Sequence, residues 1–318
     1  MKTRTTAWAA LLAASISSLV ACSAPSDDPP AAAAQPDALA SESGSGTTSD
    51  TTPPPPAPPS PLPDTLNLPG SSTPAPTPAP IAAPGPVRTL WATAGSTLLS
   101  FKSNAASTVE AHNVTGLAAG EQLVGLDFRK NGTLYAIGTT SRLFSIAPAT
   151  AKASPVSFAP FAAPLDGTAF GFAFDPVSDL ARVTSNTTQN IRVEAATGTV
   201  TNVDGDVHFG GLDVNVEAIP RVAAVAYASD GVGYAIDAST SSLTRISDSY
   251  SGEIGTIGKL GVNVADVAGF DIAGNQAFAA LRVGTVTSLY VVDLENGKVA
   301  SLGKIGDGSP VTGLAIQP

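Results

Sequence analysis

The 318 residues are 43% hydrophobic and only 13% charged, with a formal net charge of −10. No basic patch interrupts this acidic balance, which argues against a nucleic-acid partner. From Val87 onward the chain holds 232 residues, enough for one sizeable domain with a buried core.

The N-terminus reads as a targeting device. Lys2 and Arg4 make a positive start, Ala7 to Val20 an apolar run, and small residues follow, the order a secretory signal requires. Leu19-Val-Ala-Cys22 resembles the bacterial lipobox, in which cleavage before the Cys leaves it lipidated at the mature N-terminus. Cys22 is the chain's single cysteine. The expected division is therefore a signal peptide over 1–21 and a membrane partner reached through acylated Cys22; buried acyl methylenes contribute roughly 0.8 kcal/mol each. Ser23, rather than Asp, follows the Cys, so the predicted location is the cell envelope, at the outer membrane if the host has two membranes. Residues 22–86 form a predicted tether. Nineteen of the 27 prolines and six acids, but no base or aromatic residue, fall here. Such a segment buries too little apolar surface to offset its chain entropy, so disorder with polyproline character is expected.

Over 87–318 the chain repeats. Val124-Gly-Leu-Asp-Phe-Arg-Lys-Asn-Gly-Thr-Leu-Tyr-Ala-Ile137 reads as a β-hairpin turning at Asn131-Gly132. Its first strand recurs as Phe174-Asp-Pro176, Val225-Ala-Tyr227, Phe270-Asp-Ile272 and Leu314-Ala-Ile316, at steps of 48, 51, 45 and 44 residues. That period suits a four-stranded propeller blade. Second strands recur at Leu90, Leu134, Gly233 and Ala277, and third strands at Leu143, Ile191, Leu243 and Leu289. The copy at Leu90 lacks a first strand, and the copy at Val311 supplies only one. The expected fold is all-β: a five-bladed propeller of four-stranded antiparallel blades, closed by joining the N- and C-terminal strands so that no sheet edge is left open.

Phe170-Gly-Phe-Ala-Phe-Asp-Pro176, Asp179-Leu-Ala-Arg-Val183, Gln189-Asn-Ile-Arg192 and Leu260-Gly-Val-Asn-Val-Ala-Asp-Val-Ala-Gly-Phe-Asp-Ile272 carry a resemblance to the bacterial family called domain of unknown function 4394. It spans about Leu90 to Ala315. The resemblance implies a secreted or surface β-repeat protein and supplies no activity. Leu180 departs from the family, which tends to carry Arg there.

Several constellations are candidates for chemistry. Asp127, Asp175 and Asp271 share one position of the aligned first strands, where three carboxylates would face a central channel. Paired channel acids would suit glycoside hydrolysis, but a repeated residue equally suits a carboxylate that caps a turn or bonds backbone amides, since catalytic acids need unlike environments. Asn202, Asp204 and Asp206 have the oxygen spacing of a calcium loop without its distal acid. Arg182 and Arg192 are expected to pair with Asp179 and Glu194 in a surface network of little energetic weight. His112 and His208 stand apart, with no Cys or His to complete a zinc site. The segment Asp206–Glu217 is an insertion in the third unit, the kind of loop on which a rigid scaffold carries a site. No motif requires a cofactor. The sequence thus predicts a lipid-anchored propeller that presents a binding face to a protein or glycan, with glycan hydrolysis by channel carboxylates as the alternative.

Overall fold

A computed structural model describes residues 85–318. The segment expected to be a signal peptide, Cys22 and almost all of the expected tether lie outside the described residues.

Among the described residues twenty-one strands form five sheets, and none of these residues is helical. β1 (Thr89–Ala94), β2 (Thr97–Lys102) and β3 (Ala105–Asn113) belong to blade 1. Blade 2 holds β4 (Leu123–Phe128), β5 (Leu134–Gly138), β6 (Arg142–Ala147) and β7 (Lys152–Pro155). Blade 3 holds β8 (Phe170–Phe174), β9 (Leu180–Ser185), β10 (Asn190–Glu194) and β11 (Val200–Val203). The inserted β12 (His208–Phe209) precedes blade 4, which comprises β13 (Val222–Tyr227), β14 (Gly233–Asp237), β15 (Ser242–Asp248) and β16 (Glu253–Lys259). β17 (Asp266–Ala273), β18 (Gln276–Val283), β19 (Val286–Val292) and β20 (Val299–Lys304) make blade 5. Last comes β21 (Gly313–Ile316), which pairs antiparallel with β1, Leu90 opposite Ile316 and Thr93 opposite Gly313. The first and last strands therefore close the ring, as the truncated repeats predict.

Local chemistry explains the hairpins. In blade 2 the Asn131 side chain accepts the Thr133 amide at 3.0 Å, and Gly132 takes φ +82°, a left-handed conformation that costs glycine little. After β10 and β19, Gly198 and Gly297 do the same, their amides returning to the carbonyls of Glu194 and Asp293. Blade 4 goes beyond four strands: β12 adds a parallel strand at its outer edge, His208 opposite Glu253.

The core lies between blades rather than within one. Leu126, Leu134 and Phe144 of blade 2 pack with Leu98 and Ala315 of blade 1. Tyr135, Ile137 and Leu143 pack with Phe172, Val183 and Ile191 of blade 3. Ile236 and Leu243 of blade 4 meet Phe270 and Leu281 of blade 5, and Phe278 and Leu289 of blade 5 meet Leu90, Phe101 and Leu314 of blade 1. The junction of blades 3 and 4 differs. Its nearest cluster, Val207, Phe209, Val222, Ala235 and Ile254, draws only on blade 4 and the insertion leading to it.

Candidate functional site

The innermost strands β21, β4, β8, β13 and β17 surround the axis, and glycines let them approach. A Cβ on Gly269 would lie 2.4 Å from the Leu314 amide nitrogen, and one on Gly313 2.9 Å from that of Leu126. Real Cβ atoms do not come so near a backbone, so the neck of the channel demands glycine. There the space shrinks to about 10 Å³. It widens to about 50 Å³ at the end where these strands begin and to about 310 Å³ at the end where they finish. All five blades line this larger mouth, through residues such as Phe128, Phe174, Tyr227, Ile272 and Ile316.

Asp127 and Asp271 sit at the floor of the mouth. Asp127 accepts the Phe128 amide and the Phe174 amide of the next blade, both at 2.7 Å. Asp271 accepts the Ile272 amide and the Ile316 amide of the next blade, both at 2.6 Å. Each carboxylate thus ties the ends of two neighbouring inner strands, at the junctions of blades 2 with 3 and 5 with 1. Burial pushes the Asp127 carboxyl well above the usual range and Asp271's charge adds to it, while its two amide bonds pull the other way. Burial likewise pushes Asp271 up to about 7 against its amide donors.

Asp175 does not join them. Asp127 stands opposite Tyr135 and Asp271 opposite Phe278, whereas the blade 3 residue in that register, opposite Arg182, is Ala173. Asp175 lies two residues later, past the end of β8, where its carboxylate accepts the Val177 amide at 2.9 Å and the Ser178 hydroxyl at 2.7 Å. Strand side chains alternate with period two, so a slip of two residues preserves the apolar pattern and leaves no trace in the sequence.

The rim is charged. Arg129 of blade 2 donates to Asp179 of blade 3 through Nε at 3.0 Å and Nη2 at 2.5 Å, and Lys130 Nζ stands 3.7 Å from the same carboxylate. The Arg129 hydrogen bonds hold the Asp179 carboxyl below its ordinary value.

Asp179 is therefore not the partner of Arg182, and Glu194 is not that of Arg192; Glu194 caps its own turn through the Ala196 amide. Both guanidiniums converge instead on Asp204, Arg192 through two bonds at 2.8 and 2.7 Å and Arg182 at 3.4 Å. Nor is the network on the surface: the three side chains are 10%, 5% and 3% exposed. Arg182 also donates to Tyr227 Oη at 2.6 Å and to the Asn190 side chain, and Arg192 stacks on the Tyr250 ring, 4.2 Å from its centroid. Among the calcium candidates, Asp204 is committed to these two cations, Asn202 is exposed on β11, and the Asp206 carbonyl accepts His208 Nδ1–H at 2.9 Å. Two blocks that carry the family resemblance, Asp179–Val183 and Gln189–Arg192, supply Arg182, Asn190 and Arg192. The hairpin of β9 and β10 is readable from sequence, but the pairing of Asp204 with the two arginines is not.

The insertion turns the usual pattern inside out. Asp213 accepts the Thr256 amide at 2.5 Å, the Thr256 hydroxyl at 2.8 Å and the Asn215 amide at 2.8 Å, while Asn215 Nδ2 donates to Thr256 Oγ1 at 2.8 Å. Leu212, Val214, Val216 and Ile219 consequently face solvent. The connection from β12 to β13 places this loop at the end where the inner strands begin, away from the larger mouth.

Among known proteins, the model of the family described as domain of unknown function (DUF4394) matches residues 97–315. No curated protein matches. A solved protein of unknown function from Bacteroides thetaiotaomicron is similar at 11% identity and a TM-score of 0.45; 60% of this chain is covered, and the chain spans 53% of that protein. A chain of a nidogen/laminin complex shows 9% identity, coverage of 73% and 99%, and a TM-score of 0.46. A Bacteroides caccae protein of unknown function shows 12% identity, coverage of 72% and 99%, and a TM-score of 0.38.

Proposed function

Because the chain belongs to the family of domain of unknown function 4394, which lends it no activity, we propose a role from its own residues: a lipid-anchored envelope protein whose propeller is a binding module, taking its protein or glycan ligand at the larger mouth. The observation that carries this reading is the mouth itself, a cavity of about 310 Å³ at the wider end of a channel that narrows to about 10 Å³ at its neck, with residues from every blade, an apolar wall and a charged rim. The anchoring half of the reading is supported by Leu19-Val-Ala-Cys22 and the proline-rich segment after it. Outer-membrane placement follows from Ser23 if the host has two membranes.

Two experiments test it. A photo-crosslinking residue at Ser229, on the rim, should capture a saturable component of detergent-solubilised cell envelope, and the same residue at exposed Ser301 should not; equal labelling at both positions would refute the mouth. Metabolic palmitate labelling should be lost in Cys22→Ala, and persistent membrane association of that variant would refute the anchor. Glycan hydrolysis remains the second reading because Asp271, pushed up to about 7, can hold a proton near neutrality beside a second carboxyl. A screen of envelope glycans supports it only if turnover disappears in Asp271→Asn.

A further inference from the structure

Four of the ten large hydrophobic side chains exposed among the described residues, Leu212, Val214, Val216 and Ile219, lie within eight residues of the insertion before blade 4. Their exposures are 103%, 86%, 42% and 76%, so this one loop holds out a concentrated apolar surface, the usual mark of an interaction site. It is fixed in that state. The Asp213, Val216 and Ala218 amides donate to the carbonyls of Gly210, Asp213 and Asn215 at 2.9, 3.1 and 2.8 Å, and Ala218 packs against the cluster of Val207, Phe209, Val222, Ala235 and Ile254. With Asp213 and Asn215 bonded inward to Thr256, the apolar side chains need no rearrangement before they meet a partner.

Charge narrows the partner. The segment Asp206–Glu217 carries three acids, Asp206, Asp213 and Glu217, and no Lys or Arg, and Asp206 and Glu217 are exposed. An anionic bilayer would repel it. The complement lies on this chain, at the opposite end of the ring. There the mouth offers about 310 Å³ walled by Phe128, Tyr227, Ile272 and Ile316; a cavity of roughly 150 Å³ already admits a benzene-sized group, so two aliphatic side chains fit. On its rim Arg129 and Lys130 share the single carboxylate of Asp179, which leaves one positive charge in excess, and the Lys130 side chain is 55% exposed. The acids of the floor, Asp127 and Asp271, are each bonded to two backbone amides of the wall.

We infer that the insertion of one molecule docks in the mouth of a second copy of this chain, with Leu212 and Val214 entering between the apolar walls and Glu217 meeting Lys130. The inference rests on the reading of the mouth as a binding site and names its protein ligand. The docking loop and the mouth are different surfaces at opposite ends of the molecule, so the contact is heterologous rather than two-fold. Each associated pair keeps one free loop and one free mouth. Copies therefore add head to tail, into a ring or an open chain according to the rotation at each step.

The test mixes full chain carrying a photo-crosslinking residue at Ser229 with isotope-labelled full chain. Irradiation should join the Ser229 peptide to a labelled peptide containing Leu212–Ile219, and capture should saturate as labelled chain is added. Leu212→Asp or Val214→Asp in the labelled chain should weaken capture roughly tenfold or more with Tm unchanged, because both side chains stand in solvent. Glu217→Lys should weaken it as well, and Lys130→Glu in the capturing chain should restore capture of that variant. The inference is overturned if no loop peptide is captured, or if a folded Leu212→Asp chain is captured as well as the unaltered one. It is also overturned if, in the Cys22→Ala chain, Leu212→Asp abolishes binding to phosphatidylcholine vesicles and not self-capture. Capture of another envelope component at Ser229 without the loop peptide overturns this inference and leaves the mouth as a binding site; capture of nothing overturns both.

Discussion

Asp271→Asn removes one titrating group from the floor of the mouth and should change how stability depends on pH. In the folded chain the Asp271 carboxyl is pushed up to about 7 from an ordinary 3.8. The folded state therefore binds this proton more tightly than the unfolded state, and stability falls as pH rises between the two values. The contribution is complete below pH 3.8 and gone above about 7. A shift of roughly 3 pH units corresponds to about 4 kcal/mol at most, and for a domain of this size to a Tm decline of roughly 8–16 °C. Carboxyls held below their ordinary value, such as Asp179 and Asp213, act in the opposite sense, but below the ordinary carboxylate range. A scan from pH 4.5 to 7.5 thus isolates the raised pair. Asn accepts only one of the two amides that Asp271 holds, a penalty that does not vary with pH, so the slope and not the absolute Tm is the measurement. Calorimetry should show Tm falling across the window in the unaltered chain, more weakly in Asp271→Asn, and not at all in Asp127→Asn/Asp271→Asn. In the single variant Asp271 no longer titrates and Asp127 loses one of its raising influences, which is why that slope is reduced. A flat or rising Tm in the unaltered chain would show that amide bonding outweighs burial, and an unchanged slope in the double variant would show that the fall does not come from this pair.

The remaining predictions concern packing and charge. Leu314, 2% exposed on the closing strand, should cost about 2–5 kcal/mol when changed to Ala, read as a lower urea midpoint; a smaller loss would mean that ring closure contributes little. Gly269→Ala should destabilise the fold severely and lower Tm, because its Cβ would meet the Leu314 backbone at 2.4 Å, and near-wild-type melting would refute the glycine neck. Asp179→Ala should cost under about 1 kcal/mol and become neutral in high salt, since its side chain is 26% exposed and that of Arg129 20%. A salt-independent loss would show that the rim pair is more strongly coupled than its exposure implies.

How far the sequence reached can be followed residue by residue. Asn131-Gly132 and the alternation around Leu134-Tyr-Ala-Ile137 specify a hairpin from neighbouring residues alone, and the same information recurs in each unit. Five blades, their order and the joining of β21 to β1 were therefore legible, because these rest on local turns and on counting repeats. The functional geometry rests on contacts about one repeat apart or more. Asp127 reaches Phe174, Asp271 reaches Ile316, Arg129 reaches Asp179, and no local pattern records which residue of the next blade lies opposite. The two-residue slip that drew Asp175 toward the channel left the alternation intact, and only pairing to β9 revealed it. The insertion misleads similarly, since Asp213 and Asn215 turn inward only because Thr256 stands there to receive them. Sequence determined the repeating hairpins through backbone chemistry within each unit; tertiary structure alone decided which faces meet, because ring closure sets the register of one blade against the next.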